Sequence, residues 1–116
     1  MSGTLEIADG VCWLPPGWVF DNVLESIARA VETSDPKLAA RLRDVQTTTG
    51  GGFLSIRELS LDQLRTIAHG LESTLHNAVR AGPERFHDQA FFEAYIEQTR
   101  SLSSMLNSAI YQRPTE

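Results

Sequence analysis

The 116-residue chain is 41% hydrophobic and 22% charged, and its formal net charge at pH 7 is −5. These values exclude a disordered chain and suit one compact unit, so we expect a single domain over residues 1–116. The acidic balance, without a basic stripe, argues against nucleic-acid binding, which depends on clustered Lys and Arg, and no apolar run approaches the roughly 20 residues of a membrane span.

The first 17 residues are predicted to form an extended segment. Leu5 and Ile7 alternate with polar neighbours, and a second short apolar run begins at Val11. Asp9-Gly10 lies between the two runs and is a typical signal for a tight hairpin turn. We therefore expect an N-terminal hairpin, although strands this short are marginal on their own.

Residue usage also bears on compartment and source. The N-terminal segment lacks the basic start of a signal peptide, and the lone cysteine, Cys12, cannot form an intrachain disulfide. The chain contains nine arginines and a single lysine, Lys37, a bias typical of GC-rich bacterial coding. We therefore expect a cytoplasmic bacterial protein.

Four segments carry apolar residues at helical spacing, which predicts helices at roughly 18–33, 36–46, 61–80 and 88–111. Ser60 and Gln63 form a capping box before the third helix, and Asp88 caps the fourth. Gly70 lies inside the third helix, where we expect it to allow a close helix crossing.

The predicted fold is mainly α. The third and fourth helices are long and joined by a short turn, so they are expected to pair antiparallel. Residues 47–52 combine Thr and Gly without an apolar anchor and are predicted to be a flexible loop. The sequence thus predicts a small four-helix domain with a long antiparallel C-terminal helix pair and the extended or hairpin N-terminal segment packed on it.

Acidic residues gather around the start of the fourth helix. Glu84 and Asp88 precede it, and Glu93 and Glu97 lie one turn apart on it without a basic residue between them. Like charges at this spacing are mildly unfavourable, which is easier to explain if a basic partner approaches. A plain solvated face is the alternative.

Two tryptophans frame the rigid stretch Trp13-Leu14-Pro15-Pro16-Gly17-Trp18. Tryptophan is over-represented among binding hot spots, so Trp13 or Trp18 is a candidate anchor for a partner. The alternative is that both rings close one end of the core.

The sequence evidence for a metal site or a catalytic site is weaker. His69, Glu72 and His76 share one side of the third helix, but the two histidines are about 10 Å apart along the axis, so a second helix would have to complete a metal site. Glu84 and His87 form a single Glu-x-x-His pair, whereas di-iron bundles need two. Cys12 lacks a local catalytic pattern and is expected to be a small core residue.

These observations favour a binding protein over an enzyme. We predict a small acidic module that docks on another protein, as bacterial immunity proteins and antitoxins do, and occludes a basic toxin or effector domain. No cofactor, nucleic acid or membrane is expected. A self-associating helical module, such as a homodimer, and a metal-dependent enzyme using His69, Glu72 and His76 remain as alternatives.

Overall fold

A computed structural model describes residues 2–48, 51–86 and 88–113, with Thr48 described by its backbone alone. The described strands are β1 (Ser2–Ala8), β2 (Val11–Trp13), β3 (Gln46–Thr48) and β4 (Gly51–Ser55). The described helices are α1 (Gly17–Val31), α2 (Pro36–Arg43), α3 (Leu61–Ala81) and α4 (Gln89–Gln112), with a short 3-10 helix at Pro83–Arg85 before α4.

The four strands form one mixed sheet, in the order β2-β1-β4-β3. The N-terminal hairpin is present: β1 and β2 pair antiparallel around Gly10, whose φ is 75°. However, β1 also pairs in parallel with β4, and β4 pairs antiparallel with β3. The predicted mainly α, four-helix fold is therefore wrong, because the hairpin is half of a sheet that the helices cover.

The Thr/Gly segment is where the prediction fails. Residues 46–48 and 51–55 are strands, so the predicted loop at 47–52 is wrong for 47, 48, 51 and 52, while residues 49 and 50 lie outside the described part. Gly52 is explained by close packing rather than by flexibility. Gly3 and Gly52 are directly opposite in β1 and β4, and the ring of Phe20 on α1 packs closely over both. A Cβ on Gly3 would overlap Phe20 Cγ.

The helix predictions fare better. Helices α3 and α4 occupy the predicted segments, and the Ser60–Gln63 capping box and the Asp88 cap are both confirmed. They run antiparallel: Leu64, near the start of α3, shares a surface depression with Ala109 near the end of α4. The second helix ends at Arg43, earlier than predicted, because the chain turns into β3.

The core lies between the helices and one face of the sheet. Leu5 is paired with Trp13 on one side and Leu54 on the other, and all three are buried. Helices α1 and α4 contact these strands, and α3 packs against both helices. Gly70 confirms the expected close crossing, because a Cβ there would lie 3.0 Å from Val31 Cγ1 on α1. Among the described residues, no helix is long and apolar enough to cross a bilayer.

Candidate protein-binding surface

An exposed aromatic cluster forms where α1 and α4 begin next to each other. Trp18, in the first turn of α1, contacts Phe91 edge-to-face with ring centroids 5.5 Å apart. Asp88 positions Phe91 by accepting a hydrogen bond from its backbone N–H at 2.9 Å, which starts α4 at this point. Trp18 also stacks on Tyr95, at 6.1 Å between centroids.

These rings border an open pocket of about 300 Å³, which we call the aromatic pocket. It is lined by Trp18, Asn22, Arg85, Phe86 and Phe91. Trp18 is 39% exposed and Phe91 is 46% exposed, so two large apolar side chains contact water side by side. Grouped exposed aromatics of this kind are typical of interaction sites rather than of a bare surface.

Tyr95 is buried behind the residues that line the pocket and contacts three of them. Its side chain is 1% exposed, its ring contacts Phe86 at 5.1 Å, and its hydroxyl donates a hydrogen bond to Asn22 Oδ1 at 2.9 Å. Burial raises the pKa of Tyr95, while a hydrogen bond with Ser26 and the charge of Arg85 oppose part of that rise. The phenol is therefore neutral at physiological pH, and its contacts with Phe86 and Asn22 connect two residues that line the pocket.

The predicted acidic residues are all exposed on the surface. Glu84 is in the 3-10 helix and Asp88 caps α4, and both are exposed. Glu93 and Glu97 are exposed on α4, and Glu93 Oε1 accepts a hydrogen bond from Gln89 Nε2 at 3.1 Å. Their carboxylates are thus available to a partner.

Glu93 and Glu97 line a second depression, of about 440 Å³, between the end of α3 and the start of α4. We call it the acidic groove, and its other lining residues are Val79, Gln89, Phe92, Ile96 and Arg100. Phe92 in this groove contacts Phe86 of the aromatic pocket, with centroids 5.7 Å apart. The two depressions are therefore neighbours.

Trp13 is not part of this surface. It is 2% exposed, and its indole Nε1 donates a hydrogen bond to the backbone oxygen of Gln98 at 3.0 Å. It closes the core between the sheet and α4, which is the alternative considered for it. Because a buried ring cannot contact a partner, only Trp18 remains as a candidate anchor.

The metal and catalytic candidates are not brought together. His69, Glu72 and His76 are exposed on α3, and no group of three His, Cys, Asp or Glu side chains within the described ranges is arranged to hold a metal ion. His87 lies outside the described residues. Cys12 is half-buried in β2, paired with Glu6 of β1.

Sequence reasoning missed Phe86, Phe91 and Arg85. A signal for Phe91 was available: Phe91 and Phe92 are adjacent at the start of α4, so only one of them can lie on the apolar stripe of the helix. The other must face away from that stripe. Phe92 is half-buried against the core, and Phe91 is the exposed one.

The chain matches no protein-family model, no curated protein and no solved structure at a significant level. Its function must therefore be argued from the surface chemistry.

Proposed function

We propose that this chain is a small acidic protein-binding module whose partner docks over the start of α4. The observation that carries the proposal is the exposed Trp18–Phe91 pair, which borders the aromatic pocket. A partly exposed tryptophan on a rigid aromatic support is the kind of side chain that dominates binding energy, because much apolar area is buried at little cost in conformational entropy.

The chemistry of the acidic groove favours a partner with a basic surface. Glu93 and Glu97 lie beside the apolar Phe92 and Ile96, so a basic face carrying some apolar side chains complements it. The net charge of −5 also favours rapid encounter with such a partner through long-range attraction. The function that fits best is that of a cytoplasmic inhibitor of the immunity or antitoxin type, which covers the active surface of a basic toxin or effector domain.

Photo-crosslinking identifies the partner. A photoreactive phenylalanine derivative at Phe91 should crosslink one protein in a lysate of the source organism. The same residue at Ala40, which is exposed on α2, is the control position and should not crosslink that protein. Equal crosslinking from both positions would place the partner elsewhere.

The affinity for the purified partner tests the surface. Because a hot-spot side chain contributes 2 kcal/mol or more, Trp18→Ala should weaken binding by about 30-fold or more. Glu93→Lys with Glu97→Lys should slow association and reduce its salt dependence. Glu58→Lys with Glu72→Lys makes the same change in charge elsewhere and serves as control. Binding that survives both surface variants would refute the proposal.

A second copy of the chain is the competing occupant of this surface. Sedimentation of the wild type and of Trp18→Ala distinguishes the two cases. A dimer that dissociates only in the variant would assign the Trp18–Phe91 pair to self-association, and a monomer at all accessible concentrations favours a different partner.

A further inference from the structure

A third depression adjoins the aromatic pocket and shares Arg85 with it. It is an open cleft of about 380 Å³ between α1 and α3, which we call the arginine cleft. Arg29 and Arg85 line it together with the short polar side chains of Ser26, Ser73 and Asn77.

The charge of this cleft is opposite to that of the chain as a whole. Its described lining contains two arginines and no acid, in a chain of net charge −5. The ion pair that Arg29 makes within α1 is loose: Arg29 Nη2 is 4.0 Å from Glu25 Oε2, and the Arg29 side chain is 77% exposed. Within the described part of the chain, neither arginine side chain donates a hydrogen bond to another residue. Their guanidinium donors are thus available to an incoming anion.

The arginine cleft and the aromatic pocket are continuous because Arg85 lines both. The guanidinium carbon of Arg85 lies 6.0 Å from the centre of the Phe86 ring, a cation–π contact that keeps it at the border of the pocket. One bound segment can therefore reach both depressions.

We propose that the arginine cleft receives a carboxylate side chain of the partner protein, from the same segment whose apolar side chain occupies the aromatic pocket. Arginine is suited to this role because its planar donors match the two oxygens of a carboxylate. The short hydroxyl and amide groups of Ser73 and Asn77 leave room and add donors. Both depressions are open to solvent, as a protein segment requires.

This inference rests on the proposed function and adds the chemistry of the partner. The docking segment carries an apolar residue for the aromatic pocket, an acidic residue for the arginine cleft and basic residues for the acidic groove. Because the cleft and the groove carry opposite charges, the segment is favoured in the orientation that pairs each of them with its counter-charge.

Selection from a random peptide library displayed on phage tests the inference. Peptides that bind the wild type should contain Trp, Phe or Leu with Asp or Glu close by in sequence. Fluorescence polarisation then compares each selected peptide with its twin in which the acid is replaced by its amide. We expect about a tenfold loss of affinity in the twin, the usual effect of removing a charged hydrogen bond.

Matched protein variants connect this loss to the cleft. Arg29→Gln with Arg85→Gln should weaken the acidic peptide about tenfold and leave the amide twin unchanged. Lys37→Gln with Arg65→Gln removes the same charge from exposed positions on α2 and at the start of α3, away from the cleft, and should have little effect. Circular dichroism of each variant checks that folding is retained.

Four results would overturn the inference. Selected peptides that need Trp18 but contain no acid would refute the carboxylate site and leave the proposed function standing. Failure to select any peptide that depends on Trp18 would count against both the carboxylate site and the proposed function. Inorganic phosphate that binds more tightly than the peptides, seen in the backbone amide signals of Ser73 and Asn77, would make the cleft a small-anion site. A dimer that the Arg29 and Arg85 substitutions dissociate would assign it to a second copy.

Discussion

Tyr95 joins the buried core to the exposed aromatic cluster. Its ring contacts Trp18 and Phe86, and its hydroxyl donates a hydrogen bond to Asn22, so it contacts three residues that line the aromatic pocket. A phenol held this way is sensitive to alkaline pH, because the charged form would be stranded away from water.

The alkaline stability of the protein should therefore depend on Tyr95. Its pKa is raised above the ordinary 10.0 by burial, so the folded state holds the proton more tightly than the unfolded state does. The stabilisation is complete below the unfolded pKa and is lost as pH rises through the folded pKa. We expect the urea midpoint to fall more steeply above about pH 10 in the wild type than in Tyr95→Phe. Tyr111→Phe, at a residue 91% exposed, should keep the wild-type slope.

The glycines beneath Phe20 make a second prediction about single residues. Because a Cβ on Gly3 would overlap the Phe20 ring, and one on Gly52 would lie 2.9 Å from Phe20 Cε2, either substitution by Ala overpacks the interface between α1 and the sheet. We expect Gly3→Ala to lower the free energy of unfolding by about 1–3 kcal/mol in urea denaturation. The cost should shrink in a Phe20→Leu background, and an unchanged cost would mean that the ring is not the obstacle.

At the level of elements, Arg43 joins α1 to α2. Its guanidinium donates to both carboxylate oxygens of Glu25, at 3.1 and 2.9 Å, and to Glu32 at 2.8 Å. The hydrogen bond from Arg43 lowers the pKa of Glu25. The three side chains are largely exposed, so this arrangement contributes more to the mutual orientation of the helices than to stability.

Replacing Arg43 should be visible in the titration of its partner. In Arg43→Gln, the pKa of Glu25 should rise towards the ordinary glutamate value, because the group loses both a charged donor and a nearby positive charge. Side-chain carboxyl signals followed by NMR between pH 2 and about 7 measure this directly. Arg41→Gln, on the same helix but bonded to the Ser55 carbonyl, is the control and should leave Glu25 unaffected.

The elements differ in how far the sequence predicts them. Helix α3 was predictable because Leu61, Leu64 and Leu71 repeat over many turns and Ser60 and Gln63 mark its start. Strand β4 was not, because Gly51 and Gly52 have no side chains to alternate and its partner β1 is far away along the chain. Long-range pairing of this kind leaves no local pattern in the sequence, so only the N-terminal hairpin of β1 and β2 could be predicted.

The whole molecule explains why only part of the candidate surface was predictable. The exposed acids Glu93 and Glu97 follow from their spacing on one helix, whereas the arginine cleft combines Arg29 of α1, Asn77 of α3 and Arg85 between α3 and α4. Sequence alone also could not separate Trp18 from Trp13. That distinction depends on which ring the sheet buries, and the sheet itself was only half predicted.

The short outer strands of the sheet constrain how any partner can bind. Strands β2 and β3 are its two edges, and each has three residues. An incoming β-strand gains affinity by extending a backbone ladder, and such brief edges offer few main-chain groups for that purpose. Recognition by strand addition is thereby disfavoured, which leaves discrimination among binding proteins to side-chain chemistry presented by the helices.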